Sequence, residues 1–251
     1  MSDPRKQKLE RIGIVFALEA EKRGLERVMA ESRAPVHSKK SHSSLFIGEV
    51  QVITAVSGIG RKRCAEATQL LISSGAQCII CAGFSAALDP DARIGDVVVA
   101  NRIHLLDGSI PVLNSDPHLL RILPPGDTFK FRIRWCDFVT SDSIVCNELE
   151  KTRIYRATSA AALDMESYGA AEVCNRCGIP FLTIRSISDT AEQDLPQEIC
   201  TLAAIGSKKE QILYALLRPG IWANLLRLSK QTSIAADNLG DVLGLMLLRL
   251  I

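Results

Sequence analysis

The chain has 251 residues, 47% of them hydrophobic and 23% charged, enough to bury a full core and short enough to be one α/β domain. Its 30 basic and 28 acidic residues leave a net charge of +2, with no excess to track a phosphate backbone, so nucleic acid is not an expected partner. The opening residues are polar and the run Ile12–Leu18 is short, while VLGLMLLRLI near the C-terminus is short and carries Arg249; neither a secretory signal nor a membrane span is expected, and the cytoplasm is the expected location.

RIGIVFA (Arg11–Ala17) reads as a strand that feeds a helix bearing Glu19 and Glu21 and running to about Met29. RAPVHSKKSHSS (33–44) reads as a polar loop, in which His37 and His42 lack acidic company and are read as solvated rather than as ligands. LFIGEVQVITAV (45–56) reads as two strands about a Gly48-Glu49 turn. Ser57-Gly58-Ile59-Gly60 then closes a strand and opens a helix that stops at Gly75, and Cys78–Ala82 is again strand. Backbone N–H groups at such a glycine turn can hold an anion or ribose oxygens. SGIG nevertheless lacks the spacing of a dinucleotide or Walker loop, and a plain tight turn reads equally well.

Asp89-Pro90-Asp91 marks a turn, with a strand around Asp96–Ala100. Residues 105–160 read as a less regular region around a pocket, containing PPGD (124–127), the alternating and half-exposed FKFRIRW (129–135) and TSDS (140–143). Of the eight cysteines, Cys78/Cys81 and Cys174/Cys177 form CxxC pairs, but they are too far apart for a zinc ribbon and the first sits in an apolar strand. The cysteines are expected to be free, reduced and packed as small apolar residues, with no metal and no cofactor.

In ALDMESYGAAEVCNRCGIPFLTIRSISDTA (162–191), small residues Gly169, Ala170 and Ala171 suit a closely packed helix, Gly178 caps it and Pro180 prevents its continuation. Phe181–Ile187 then reads as a buried strand, which places Asp189 at its carboxyl end, where open α/β sheets form ligand crevices. Glu166 opens the preceding helix, so both carboxylates can face one pocket. Taken singly, each has an ordinary alternative: Glu166 complements a helix dipole and Asp189 caps a helix.

The order of these motifs resembles the purine nucleoside and uridine phosphorylase superfamily, and in particular its methylthioadenosine/S-adenosylhomocysteine nucleosidase branch. The likeness is carried by IGIVFALEAE (12–21), SGIGRKRCAEATQLL (57–71), CAGFSAALDPDARIGDVVVA (81–100) and the DMES and SISD segments of 162–191. It implies a single α/β domain with a twisted mixed β-sheet flanked by helices, a homodimer, and cleavage of the N-glycosidic bond of an adenosine-type nucleoside. By resemblance Asp189, supported by Ser188 and held partly protonated by an apolar strand, is the acid for purine N7, and Glu21 is the base that activates water. Glu166 binds ribose hydroxyls with Met165 packing the sugar. Ser57, Gly83, Phe84 and Ile144 line the rest of the site. Phosphorylases of the superfamily place an arginine just before the glycine of the segment that here reads CAGFSAAL, where this chain has Cys81 and Ala82, so water is favoured as nucleophile. Arg61 and Arg63 after SGIG keep phosphorolysis open. Two departures bear on base recognition: Ala82-Gly83-Phe84-Ser85-Ala86-Ala87 stands where the nucleosidases have a small polar segment, and Ile144 where they have a stacking phenylalanine.

The chain is expected to divide into a nucleosidase-like domain at 1–206 and a helical extension at 207–251 packed on or near it. The extension holds six Lys/Arg against three Asp/Glu, and Ile221, Trp222, Leu225, Leu226 and Leu228 fall on one helical face. It resembles phosphorylase-like proteins of hopanoid synthesis, which makes an adenosyl-lipid substrate and peripheral membrane contact alternatives. A non-catalytic nucleoside-binding module is the alternative of another class, against which the retained Glu21, Glu166 and Asp189 count.

Overall fold

A computed structural model of the chain describes residues 9–31, 36–39, 42–108, 111–123, 129–195, 200–201 and 222–250. Its centre is parallel because four segments are apolar runs that can be covered on both faces. Strand β1 (Arg11–Phe16) runs parallel to both β4 (Val50–Val56) and β5 (Cys78–Ala87), and β10 (Phe181–Asp189) runs parallel to β5. Ile12 stands opposite Val52 and Cys78, and Leu182 opposite Ile80, all buried. The carboxyl ends of these four strands therefore share one edge, and Asp189 stands on it.

The expected mixed sheet is present, with a closure the sequence does not announce. β10 pairs antiparallel with β6 (Val97–Leu105), β6 pairs parallel with β8 (Ile133–Thr140), β8 pairs parallel with β9 (Ala162–Asp164), and β9 returns antiparallel to β5. The path from β5 through β10, β6, β8 and β9 thus closes into a ring, while β1, β4, β3 (His42–Ile47) and β2 (Val36–Lys39) continue from it as an open wing. A short β7 (Leu113–Asn114) pairs with β6.

Two segments differ from the sequence reading. The supposed loop at 33–44 contributes β2 and the start of β3, with Val36 opposite Leu45 and Lys39 opposite His42. Edge strands carry polar and charged residues that blunt further pairing, so they resemble loops in sequence. The side chains of His37 and His42 lie outside the described residues. The region 105–160 is more regular than expected, since β8 is followed by α4 (Glu148–Thr158), whose N-cap Asn147 accepts from the Glu150 N–H. Strand pairing starts only at Ile133, and before it the rings of Phe129 and Phe131 stack at 4.9 Å. PPGD lies outside the described residues.

The remaining helices fill the flanks. Helix α1 (Glu19–Glu31) follows β1, α2 (Arg61–Ser73) follows β4, and α5 (Ser167–Cys177) follows β9 and ends at Gly178, whose φ of 67° suits glycine. A short α3 (Pro117–Leu120) is capped by Asp116. Helix α6 (Trp222–Leu250) crosses α1 at glycines: a Cβ on Gly24 would stand 1.8 Å from the Ala236 carbonyl oxygen, and one on Gly240 would stand 2.2 Å from the Gly24 backbone. Leu239, Val242, Leu243, Met246 and Leu247 of α6 join Leu25 and Met29 of α1 in the core. Of the residues expected to share a helical face at 221–228, Leu226 is 64% exposed and Leu228 is half-buried; Ile221 and the side chains of Trp222 and Leu225 lie outside the described residues. Among the described residues, no helix is long and apolar enough to cross a membrane.

The cysteine reading needs one correction. Cys64, Cys78, Cys81 and Cys174 are buried thiols, and burial pushes Cys78 up to about 12. Cys146 and Cys200, however, form a disulfide. They are 54 residues apart in sequence, and the fold brings them together because the chain leaving β10 returns to the start of α4, where the Leu195 N–H donates to the Cys146 carbonyl at 2.8 Å.

Candidate active site

The shared strand edge draws together carboxylates that are distant in sequence. After β1 the chain turns through Ala17 and Leu18 into α1, and Glu21 folds back over that turn. Its Oε2 accepts from the Ala17 and Leu18 N–H groups at 2.7 and 2.8 Å, and its Oε1 accepts from the Phe84 N–H at 2.9 Å. Glu21 is buried, whereas its neighbour Glu19 is exposed. Burial raises the Glu21 pKa above the ordinary carboxylate value, against the opposing pull of the Arg185 charge and the three backbone donors.

Glu166 occupies the N-cap position of α5, but its side chain does not cap that helix. It reaches instead to the glycine turn, where Oε1 accepts from the Gly60 N–H at 2.9 Å. Gly60 has a φ of 109°, which is left-handed territory open to glycine, so the turn can aim this N–H at a carboxylate. Burial pushes Glu166 up to about 7; Arg185 and the Gly60 hydrogen bond lower it, while Asp164 and Glu21 raise it.

Arg185 lies between these acids and was not singled out from sequence. It is fully buried on β10, with Nη2 2.9 Å from Asp164 Oδ2 and 3.4 Å from Glu166 Oε2. Nη2 also donates to Ser167 Oγ at 3.3 Å, and Nη1 donates to the Phe84 carbonyl at 3.4 Å. Thr140 and Ser167 hydroxyls donate to Asp164 in turn. An available signal was an arginine inside an otherwise apolar strand, which requires buried acids as partners.

Gly83 is where this cluster meets β5. A Cβ there would stand 2.3 Å from Arg185 Nη1 and 2.6 Å from Glu21 Oε1. The glycine therefore admits both charged groups against the strand backbone.

At the carboxyl end of β10, Asp189 is not in the apolar surroundings expected of it. The ammonium of Lys151, from α4, lies 2.6 Å from Asp189 Oδ2, and the Ser188 hydroxyl lies 3.0 Å from Oδ1 and 3.3 Å from the Ser85 carbonyl oxygen, within reach to donate to either. Asp189 lies four residues beyond Arg185, about 13 Å along the strand. Met165 precedes Glu166 and is half-buried, as are Phe84 and Ile144. The Ser57 hydroxyl is engaged by backbone, donating to the Gly58 carbonyl at 2.7 Å or to that of Phe16 at 3.2 Å. Arg61 is paired with Asp142 at 3.1 Å, while Arg63 lies along Gly58.

Buried carboxylates thus gather at a strand edge of an α/β scaffold, with a glycine where charged groups approach the backbone. The pattern of the Phosphorylase superfamily matches residues 11–217, and the chain belongs to that family. A 5'-methylthioadenosine/S-adenosylhomocysteine nucleosidase of Pseudoalteromonas translucida is 28% identical over 222 residues, covering 79% of this chain and 93% of the relative. The enzyme of the same description from Buchnera aphidicola is 26% identical over 245 residues, covering 89% and 100%. Among solved structures, the Neisseria meningitidis nucleosidase in complex with methylthio-immucillin-A aligns with a TM-score of 0.72 at 21% identity, covering 95% of this chain and 99% of that one. Futalosine hydrolase of Helicobacter pylori aligns with the same score at 18% identity, covering 95% and 97%. These two likenesses concern the fold.

Proposed function

We propose that the chain is a nucleosidase that hydrolyses the N-glycosidic bond of an adenosine-type nucleoside, methylthioadenosine or S-adenosylhomocysteine being the first to try. Cleavage leaves an oxocarbenium-like sugar and a purine anion, so it needs a proton donor at the base and a nucleophile at the sugar. Asp189 donates to N7. Glu21, buried and held by three backbone N–H groups, takes the proton of the attacking water, and its raised pKa makes it the stronger base for that step. Glu166 accepts from ribose hydroxyls beside Met165, with Ser57, Gly83, Phe84 and Ile144 completing the walls and Ser188 steadying Asp189. The relatives' descriptions as nucleosidases point the same way.

The observation that carries the choice of water is the use of Arg185. Its charge is shared among Asp164, Glu166 and Glu21, so a phosphate dianion entering beside Gly83 would meet three acids and an arginine already spoken for. Phosphorolysis retains one support, the Arg63 side chain lying along the glycine turn. The nucleosides are incubated with and without phosphate, and the sugar product is weighed by mass spectrometry. Free sugar at a rate indifferent to phosphate is expected; sugar 1-phosphate would overturn the assignment. Binding without release of base would favour the non-catalytic module, and turnover of an adenosyl-lipid alone would move the substrate to the alternative class.

The resemblance also carries a cytoplasmic homodimer, a domain division near residue 206 and membrane contact through the C-terminal part. Sedimentation, limited proteolysis and vesicle flotation test these in turn. The Cys146–Cys200 bond is unusual for a reducing compartment, and thiol trapping in freshly lysed cells decides whether it exists there.

A further inference from the structure

Among the described residues Lys151 is the one fully buried lysine, and the hydrolytic scheme does not use it. Its ammonium has three N–H donors, and each finds an acceptor: Asp189 Oδ2 at 2.6 Å, the Thr190 carbonyl at 2.9 Å and the Gln193 carbonyl at 3.1 Å. Burying an ammonium is costly unless it is paired and fully hydrogen-bonded, so this geometry is a specific one. The loop after β10 has other ties. Leu195 donates to the Cys146 carbonyl, the Glu148 N–H donates to Asp194 Oδ1, and the amides of Gln193 and Gln231 pair. A lysine is therefore not needed merely to hold the loop, and two carbonyls would anchor it there without a carboxylate.

Resting on the proposed hydrolysis, we propose that Lys151 is a positioning residue for Asp189: it grips Oδ2, leaves Oδ1 to carry the proton for the leaving base, and neutralises the carboxylate that forms. In that step the Oδ1–H bond breaks as a base N–H bond forms. The electron pair of the glycosidic bond goes to the base, and the proton of the attacking water goes to Glu21. Asp189 gains negative charge while Lys151 keeps its three protons throughout. Ser188 on the same strand is neutral, β5 brings Ala86 opposite Asp189, and the nearby loop acids Glu192 and Asp194 are exposed. On α4, Lys151 is the ion-pair partner of Asp189.

The test compares Lys151→Met, Lys151→Gln and Lys151→Arg by the pH profile of kcat/KM for base release. Loss of a hydrogen bond to a charged group predicts a fall in kcat of roughly 10- to 100-fold in the two neutral variants. With the ammonium gone, their alkaline limb moves, whereas Lys151→Arg keeps the limb in place. Adding Lys151→Met to Asp189→Asn causes no further loss. An unmoved limb in a folded neutral variant, or an equal loss in the Asp189→Asn background, would show a purely structural lysine and overturn the proposal; Lys151→Gln keeps this decidable where Lys151→Met fails to fold. Calorimetry of adenine binding in two buffers of different ionisation heat separates this idea from the hydrolytic reading. Proton uptake that falls in Lys151→Gln supports the pair even in a protein that cleaves nothing, and unchanged uptake or no adenine binding overturns it.

Discussion

Replacing Gly83 with alanine adds a single methyl group at the point where two charged groups press on β5. The new Cβ would lie 2.3 Å from Arg185 Nη1 and 2.6 Å from Glu21 Oε1, whereas ordinary contacts begin near 3.4 Å, so one partner must retreat by about 1 Å. Neither moves freely: Glu21 is tied to three backbone N–H groups, and Arg185 to Asp164 and Glu166. Overpacking of this kind costs about 1–3 kcal/mol of stability, and a misplacement of 1 Å in a catalytic group costs on the order of 100-fold in rate. Denaturant unfolding and base release measured on the same preparation read both losses. A Gly83→Ala protein with the stability and turnover of the parent would refute the reasoning, because it would show that Glu21 and Arg185 are not held against this strand.

Asp189→Asn preserves shape but has no acid proton to give, and kcat should fall roughly 10²–10⁴-fold with the far-ultraviolet spectrum unchanged; normal turnover would place the acid elsewhere. Glu166, raised to about 7, binds protons in the folded state that the unfolded state releases, so its contribution makes folding stability decline as pH rises from about 4.5 to 7. Glu166→Gln should flatten that part of the stability curve and raise KM for ribosides more than for 2′-deoxyribosides, both read from pH-dependent unfolding and steady-state kinetics. Gly240→Leu cannot fit against Gly24 and should lower the unfolding midpoint in denaturant; an unchanged midpoint would mean that α6 does not lie on α1.

The central strands of the fold were legible because β1, β4, β5 and β10 are largely apolar runs, and because glycines at 60 and 178 punctuate the adjoining helices at positions with left-handed backbone. Glu21, Glu166 and Asp189 stood out as acids bordering those runs. What escaped notice depends on tertiary proximity. Lys151 sits in the segment 105–160 that reads as less regular, among the charged Glu148, Glu150 and Arg153, and the chain after β10 returns to cover it. Arg185 was passed over inside its strand because its partners Asp164 and Glu166 come from another element. The edge hairpin at 36–47 hid as polar sequence, and Cys146 and Cys200 offered no spacing from which to infer their bond.

The glycine crossing of α1 by α6 ties the proposed base to the order of synthesis. Glu21 precedes most of the sheet along the chain, yet the helix that carries it is covered by residues 222–250. Those residues emerge after every segment of the family pattern, which ends at residue 217. On a ribosome paused before α6, Leu25 and Met29 lack the cover of Leu239, Val242 and Leu243, a partly packed state of the kind that folding intermediates present. Competence then arrives with α6, and truncations that remove α6 while sparing every motif of the family pattern should impair Glu21 first.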